Sequence, residues 1–417
     1  MGALSSSDLA QVLKVYYPNG VPKDEIVRKC PTLALLPKDM EWAGSSTLIP
    51  IQWGAPQGAS AAIANAIANK TGSKHAGFNV TTAEDFAVWG VTGKVIAQTR
   101  NDKGAFVRYL TTEMDAAMQS LRLSTYHSLF RNGGGAIGRI SSVSNVATDT
   151  ITLDNRYDCI YFSAGLTVQA SATDGTSGSV LGGGAGKAVI VAVDAQAGTL
   201  KTTAAWNSLI TAPITNTSYL FRDGDFGAKF VGFDGWVPPS APTSASFYGV
   251  DRSVDTVKLG GVRLPSTSAD KPLDETLIDL VREVSSAGGT PDLISLHDTQ
   301  WTSLEKRLMG KVIYGEKTVD TGNGKFGIRT IVLKGPYGDV DVIGDTNAKI
   351  DTALCLQTDT WTMGSMGELW QMLDDDGMPF LREALADAVE GRLVSRPGLA
   401  CKAPGWNGRA LLSTSGL

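Results

Sequence analysis

Apolar residues recurring at steps of three and four single out one long helix. Phe106, Leu110, Met114, Ala117, Leu121, Thr125 and Leu129 share a face of a helix predicted over about Asp102 to Asn132. Asp102 stands where an N-cap is expected and Gly133 where a helix stops. At 1.5 Å per residue such a helix spans roughly 45 Å, far more than the average one. It reads as a spine.

Before it the period changes to two. Ile49, Ile51 and Trp53 alternate with Leu48, Pro50 and Gln52. A return limb carries Phe78 and Val80, then Phe86, Val88, Trp89, Val91, Val95 and Ile96. Between the limbs lies a Gly- and Ala-rich stretch, Gly54 to Gly77, with few anchors. Residues 46–98 are therefore expected to form one long hairpin that reaches a neighbouring subunit. Residues 1–45 read as an arm. Ser7 caps a short helix with Leu9, Val12 and Leu13, and a second runs from Pro22 to Cys30-Pro31.

Beyond the spine no Met occurs between Met118 and Met309, and no Glu between Glu113 and Glu275. Both residues favour helix, so their loss argues for strands. Thr150 to Leu153, Leu166 to Gln169, Ala188 to Val193, Gly198 to Thr203 and Tyr219 to Phe221 fit that period, separated by glycine turns. Residues 134–227 are expected to be an all-β module, a small sandwich or barrel. A return segment, 228–270, opens with an aromatic loop from Phe230 to Phe247.

An α/β segment, 271–370, follows. Its first helix carries Leu273, Leu277, Leu280, Val281 and Val284 and closes at Gly288-Gly289. Leu293 to Leu296 is a strand, Asp298 caps a second helix, and strands flank the turn Gly335 to Gly338. In the last part, 371–417, the stretch after Phe380 fits helix and strand alike.

Composition narrows the function. The 417 residues are 42% hydrophobic and 19% charged, with 47 Gly, 3 His, 4 Cys and a net charge of -5. Mild acidity lacks the basic excess of a nucleic-acid-binding domain. Met1 to Ala10 lacks the pattern of a secretory signal, and no apolar run reaches membrane-spanning length. Cys30, Cys159, Cys355 and Cys401 form no CxxC pair and are expected to be reduced and mostly buried.

The motifs that could carry chemistry are weak. Gly133 to Gly138 matches GxGxxG, but a helix enters it and a strand leaves, the reverse of a dinucleotide site, so it reads as a hinge. Leu181 to Ala188 lacks the glycine and hydroxyl that a phosphate loop needs. Asp374, Asp376, Gly377 and Glu383 have calcium-loop spacing, but Met372 occupies the first ligand position. His75, His127 and His297 have no HExxH spacing and read as surface or capping residues. No catalytic residue, metal ligand or cofactor site is assigned.

An ordered series of motifs resembles a known family. Thr32 to Lys38 followed by the Gly/Ala-rich excursion, Phe78 to Thr81, Asp85 to Val88, Gly93 and Asp102 to Val107 resemble tailed-phage major capsid proteins. Phe247 to Ser253, the segment around Asp374 to Asp387, and Cys401 to Asn407 look like later markers of one subgroup. The resemblance implies an α+β, Hong Kong 97-like fold: N-arm (1–45), extended loop (46–98), peripheral domain with the spine (99–133, 228–270 and 371–417) and axial domain (271–370). The module at 134–227 is then an insertion.

The resemblance further implies self-assembly into hexamers and pentamers of an icosahedral head around double-stranded DNA. It implies a separate scaffolding protein, a portal and possibly a decoration protein as partners, and no membrane. The protein would reside in the virion after assembly in the bacterial cytoplasm. Trp53, Phe78, Phe86, Trp89, Arg392 and Arg396 are the expected inter-subunit contacts, the aromatics as exposed rings. Another virion component or decoration protein, and an enzyme with a carboxylate site near Asp374 to Glu383, are the alternatives.

Overall fold

The structure, a computed structural model, describes residues 29–93, 103–211, 214–243, 246–265, 271–308, 314–320, 325–374, 380–382 and 387–412. The helices expected from Ser7 and Pro22, the strand residues Val95 and Ile96, and most of the Asp376–Glu383 segment lie outside them. The chain divides into two compact units. One holds Ala83–Gly232 and Met372–Ser395; the other holds residues 29–82, Phe233–Gln371 and residues 396–412.

In the first unit the spine helix runs over Lys103–Leu129. Of the expected stripe Met114, Leu121, Thr125 and Leu129 are buried and Ala117 is half-buried, with Met118 buried beside them. From Leu121 onward nearly every side chain is buried, including Arg122, Ser124, Thr125, His127 and Ser128. Strand Asp85–Thr92 packs on this helix and pairs antiparallel with Ala388–Ser395, from Asp85↔Ser395 to Thr92↔Ala388. Strand Phe380–Arg382 lies on the other edge of Ala388–Ser395.

This corrects the single hairpin expected over 46–98. Residues 85–92 turn away to a partner some three hundred positions downstream, beyond the reach of any local pattern. It also resolves the tail after Phe380 in favour of strand.

The segment after the spine folds as six strands. Their order is Ala136–Arg139, Tyr219–Arg222, Thr167–Ser171, Ala188–Asp194, Thr199–Thr202 and Thr150–Thr152. The bridge Ile140↔Leu153 joins the last back to the first and closes a barrel. Inward-facing Ile137, Ile151, Val168, Ile190, Leu200 and Leu220 fill it, with Trp206 and Phe162.

The Gly133–Gly138 run that enters the barrel is no loose hinge. Gly135 has φ +86, and a Cβ there would lie 2.1 Å from the Asp225 carbonyl oxygen; at Gly134 it would lie 2.1 Å from that of Asp174. The glycines are needed because backbones cross at contact distance, and Gly138 already lies within a strand.

The second unit is built on a seven-stranded sheet. Its order is Val262–Arg263, Gly408–Leu411, Thr352–Leu356, Leu293–Leu296, Gly338–Gly344, Lys325–Gly335 and Tyr314–Asp320. Helix Leu273–Ser286 covers it with the predicted stripe of Leu273, Leu277, Leu280, Val281 and Val284. Strand Gly408–Leu411 belongs here, whereas the whole of 371–417 was expected with the peripheral domain.

A short helix, Pro31–Leu35, begins at Pro31, where a helix was expected to end. Proline is favoured at the first helical position because its missing N–H would find no partner there. Lys38–Asp39, Trp361–Ser365 and Pro397–Cys401 form a three-stranded sheet. Against it the aromatic loop becomes a core: Trp236 lies edge-on to Phe78, Phe247 and Trp361 at 5.0, 5.2 and 6.3 Å.

Candidate assembly surfaces

The hairpin that survives pairs Thr47–Gly54 with Lys74–Val80, from Thr47↔Val80 to Gly54↔Lys74. Its base is anchored. Phe78 and Val80 are fully buried, Phe78 between Trp236 and Phe247. Phe78 is therefore a core residue of its own unit, a correction to its expected exposure. Trp53 is half-buried; Lys74 Nζ sits 5.3 Å from its ring and Lys258 Nζ donates to its carbonyl at 3.1 Å.

The far end is different. A six-residue helix, Ile63–Ala68, forms in the stretch read as featureless, and none of its residues is buried. Ile63 is 77% and Ile67 67% exposed, and Leu48 nearer the base is 61% exposed. Sequence reasoning missed all three. The spacing of Ile63 and Ile67, one helical turn within an Ala-rich run, was the available signal.

A second exposed surface lies on the strands over the spine. Phe86 and Val88 are 52% and 59% exposed, while Trp89 and Val91 face the helix. Trp89 packs edge-on to Phe380 at 5.7 Å over Gly391, which corrects its expected exposure. Arg392 pairs with Val88 in register and forms an ion pair with Glu390 on the same strand. Phe86, Val88 and Arg392 are thus brought together. Arg396 is half-buried just before strand Pro397–Cys401, in the other unit.

Two of the three histidines and all four cysteines are buried. His297 is buried and accepts the backbone N–H of Thr299 at 3.2 Å, so it caps helix Asp298–Leu308 one residue before the Asp298 expected in that role. His127, expected as a surface or capping residue, is buried in the spine with its ring 4.3 Å from that of Tyr161. All four cysteines are free and buried. Burial pushes the thiol of Cys159 up to about 11 and that of Cys401 up to about 12, far from a reactive thiolate. Among the described residues no cluster of three or more His, Cys, Asp or Glu is arranged to hold a metal ion. No described helix is long and apolar enough to cross a membrane.

Exposed apolar patches on a folded chain mark surfaces that another molecule can cover, and the fold has a counterpart among solved structures. It is similar to that of a chain in the capsid asymmetric unit of cyanophage A-1(L), with a TM-score of 0.54, 11% identity and 93% of each chain covered. A chain of the satellite phage P4 procapsid matches at TM-score 0.40 and 9% identity, covering 94% of this chain and 98% of that one. A chain of the SrpI encapsulin complex of Synechococcus elongatus matches at 0.42 and 9%, covering 93% and 89%. The fold is mixed α+β and similar to that of the cyanophage capsid chain.

No curated protein matches the chain by sequence. The family model of the SU10 major capsid protein, however, matches residues 187–410, more than half of the chain. The chain belongs to the SU10 major capsid protein family, and is the subunit of a tailed-phage head shell.

Proposed function

We propose that copies of this chain close into hexamers and pentamers of an icosahedral head around double-stranded DNA, with the hairpin as the element that clasps the adjacent copy. The Hong Kong 97-like assignment follows the same reading. Residues before Thr47 are the N-arm, the hairpin is the extended loop, the spine and the strands over it form the peripheral domain, and the seven-stranded sheet is the axial domain. The barrel is an added β domain. A separate scaffolding protein, a portal and possibly a decoration protein complete the set of partners. The DNA is enclosed without sequence-specific contacts, assembly takes place in the bacterial cytoplasm, and the protein performs no catalysis.

The observation that carries this reading is the contrast along the hairpin, with a base locked by Phe78 and Val80 and an end displaying Ile63 and Ile67. Burying each isoleucine against a neighbour contributes about 2 kcal/mol. Repeated around a ring, that is enough to make closure cooperative. Deleting residues 54–77 tests it: the variant is expected to fold, with a single cooperative thermal transition near that of the wild type, and to yield no stable shells by electron microscopy. Normal shells from the deletion variant would remove the hairpin from the assembly contact.

A further inference from the structure

In the second unit, strands Ser246–Phe247 and Val250–Asp251 pair antiparallel across a two-residue turn, Tyr248-Gly249. Both turn residues have positive φ, 50° and 87°, as a type I′ hairpin turn requires. Asn, Asp or Gly ordinarily opens such a turn, because a larger side chain at positive φ crowds the backbone. Among the described residues Tyr248 is the one non-glycine residue with a positive φ. Local turn chemistry does not account for a tyrosine there; its contacts do. The Tyr248 carbonyl accepts the backbone N–H of Asn79 at 2.9 Å, and the Thr81 side chain hydrogen-bonds the phenol. The ring lies 4.7 Å from Phe247 and 5.8 Å from Trp236, the two rings that enclose Phe78. Arg252 braces the turn from behind. Its guanidinium stands 3.7 Å from the Phe247 ring and donates to the carbonyls of Gly235 and Trp236 at 2.9 and 3.0 Å.

We propose that Tyr248 is the positioning residue of the hairpin: it fixes the direction in which residues 47–80 leave the second unit, and so where Ile63 and Ile67 are presented. This role rests on the hairpin acting as the clasp. Tyr248 touches the return limb at its last residues, by backbone at Asn79 and by side chain at Thr81. The outgoing limb is held separately, by Lys258 at the Trp53 carbonyl.

A two-stranded ribbon has no core of its own, so its direction is set at the base. The eight-residue limb Thr47–Gly54 carries the exposed end roughly 25 Å outward, at about 3.4 Å per residue. At that radius a swing of about 10° displaces the end by roughly 4 Å, the span of a side-chain contact. A left-handed tyrosine serves this better than the glycine or asparagine that the turn alone would favour. Either would relax the backbone but leave the ring's place empty, and the base free to rock on Trp236. The strain of one turn residue is held in place by the packing around it, in exchange for a fixed angle.

Distances between two spin labels on the unassembled full chain test this. The labels go on Ala61→Cys, near the hairpin end, and Ser286→Cys, at the end of helix Leu273–Ser286. Both positions are exposed, and the four native cysteines are buried away from the reagent. This labelled parent is expected to give one narrow distance distribution. Tyr248→Asn, which supplies the favoured turn residue and removes the ring, is expected to widen it about twofold as the ribbon swings on a loosened base. The melting temperature should stay nearly unchanged, because the turn is relaxed. Tyr248→Phe, which keeps the ring, is expected to restore the narrow distribution. A distribution in Tyr248→Asn as narrow as the parent's overturns the proposal. So does a broad distribution in the parent, which needs no variant and decides even if Tyr248→Asn fails to fold. Electron microscopy of Tyr248→Asn separates the two readings: a widened distribution with normal shells would remove the hairpin from the assembly contact and leave Tyr248 as its anchor.

Discussion

Asn407 Oδ1 accepts the indole N–H of Trp361 at 2.7 Å, with both residues fully buried. The same oxygen accepts the backbone N–H of Gln357 at 2.8 Å. The amide nitrogen donates to Thr360 Oγ1 and to the Ala403 carbonyl, each at 3.0 Å. One side chain thereby uses both its acceptor and its donor capacity to hold the edge of the seven-stranded sheet to the three-stranded one.

Asn407→Ala would leave two buried donors without a partner, each costing about 1–3 kcal/mol. A total loss of about 3 kcal/mol is expected, read as a fall in the melting temperature of the unassembled subunit. A melt unchanged from wild type would mean that the network adds nothing beyond shape.

At Gly391 a Cβ would stand 2.5 Å from Trp89 Cε2. Gly391→Ala is expected to push the indole off Phe380, destabilising the strand pair by about 1–3 kcal/mol as overpacking does. Faster hydrogen exchange confined to residues 85–92 and 388–395 is the readout. Protection equal to wild type would contradict the close packing.

Leu200 is fully buried in the barrel core. Leu200→Ala is expected to cost about 2–5 kcal/mol from lost burial and the cavity left behind. Proteolysis should then cut within residues 136–222 while leaving the seven-stranded sheet intact. Uniform loss of both regions would show instead that the barrel and sheet unfold as one.

Asp345 is buried and accepts hydrogen bonds from the Thr32 backbone N–H, Cys30 Sγ and Asn347. Desolvation raises its carboxyl above the ordinary 3.8. Between that value and the raised one the folded state holds a proton that the unfolded chain has lost. Its contribution to stability is therefore greatest at low pH and declines as pH rises through the window. Asp345→Asn should flatten the dependence of melting temperature on pH there. An equal slope in the variant would assign the titration to another group.

What the sequence determined by itself was the set of local periods. The spine, the stripe of helix Leu273–Ser286, five of the six barrel strands and both limbs of the hairpin follow from patterns within a few residues. A period of two says which residues share a face, but not which face is covered. Phe86 and Trp89 belong to one strand and look equally apolar; only the helix beneath it and the strand Ala388–Ser395 beside it decide that Trp89 is core and Phe86 surface. The same holds for Phe78, whose burial depends on Trp236 far along the chain.

The glycines of 133–138 look like freedom in the sequence and prove to be close backbone crossings once Asp174 and Asp225 arrive from elsewhere. Asp85, Asp225 and Lys229 are ordinary charged residues in the sequence until folding removes most of their water and sets Lys229 Nζ within 3.0 Å of both carboxylates. Pairing and desolvation are properties of the whole fold, since both depend on groups that no local window contains.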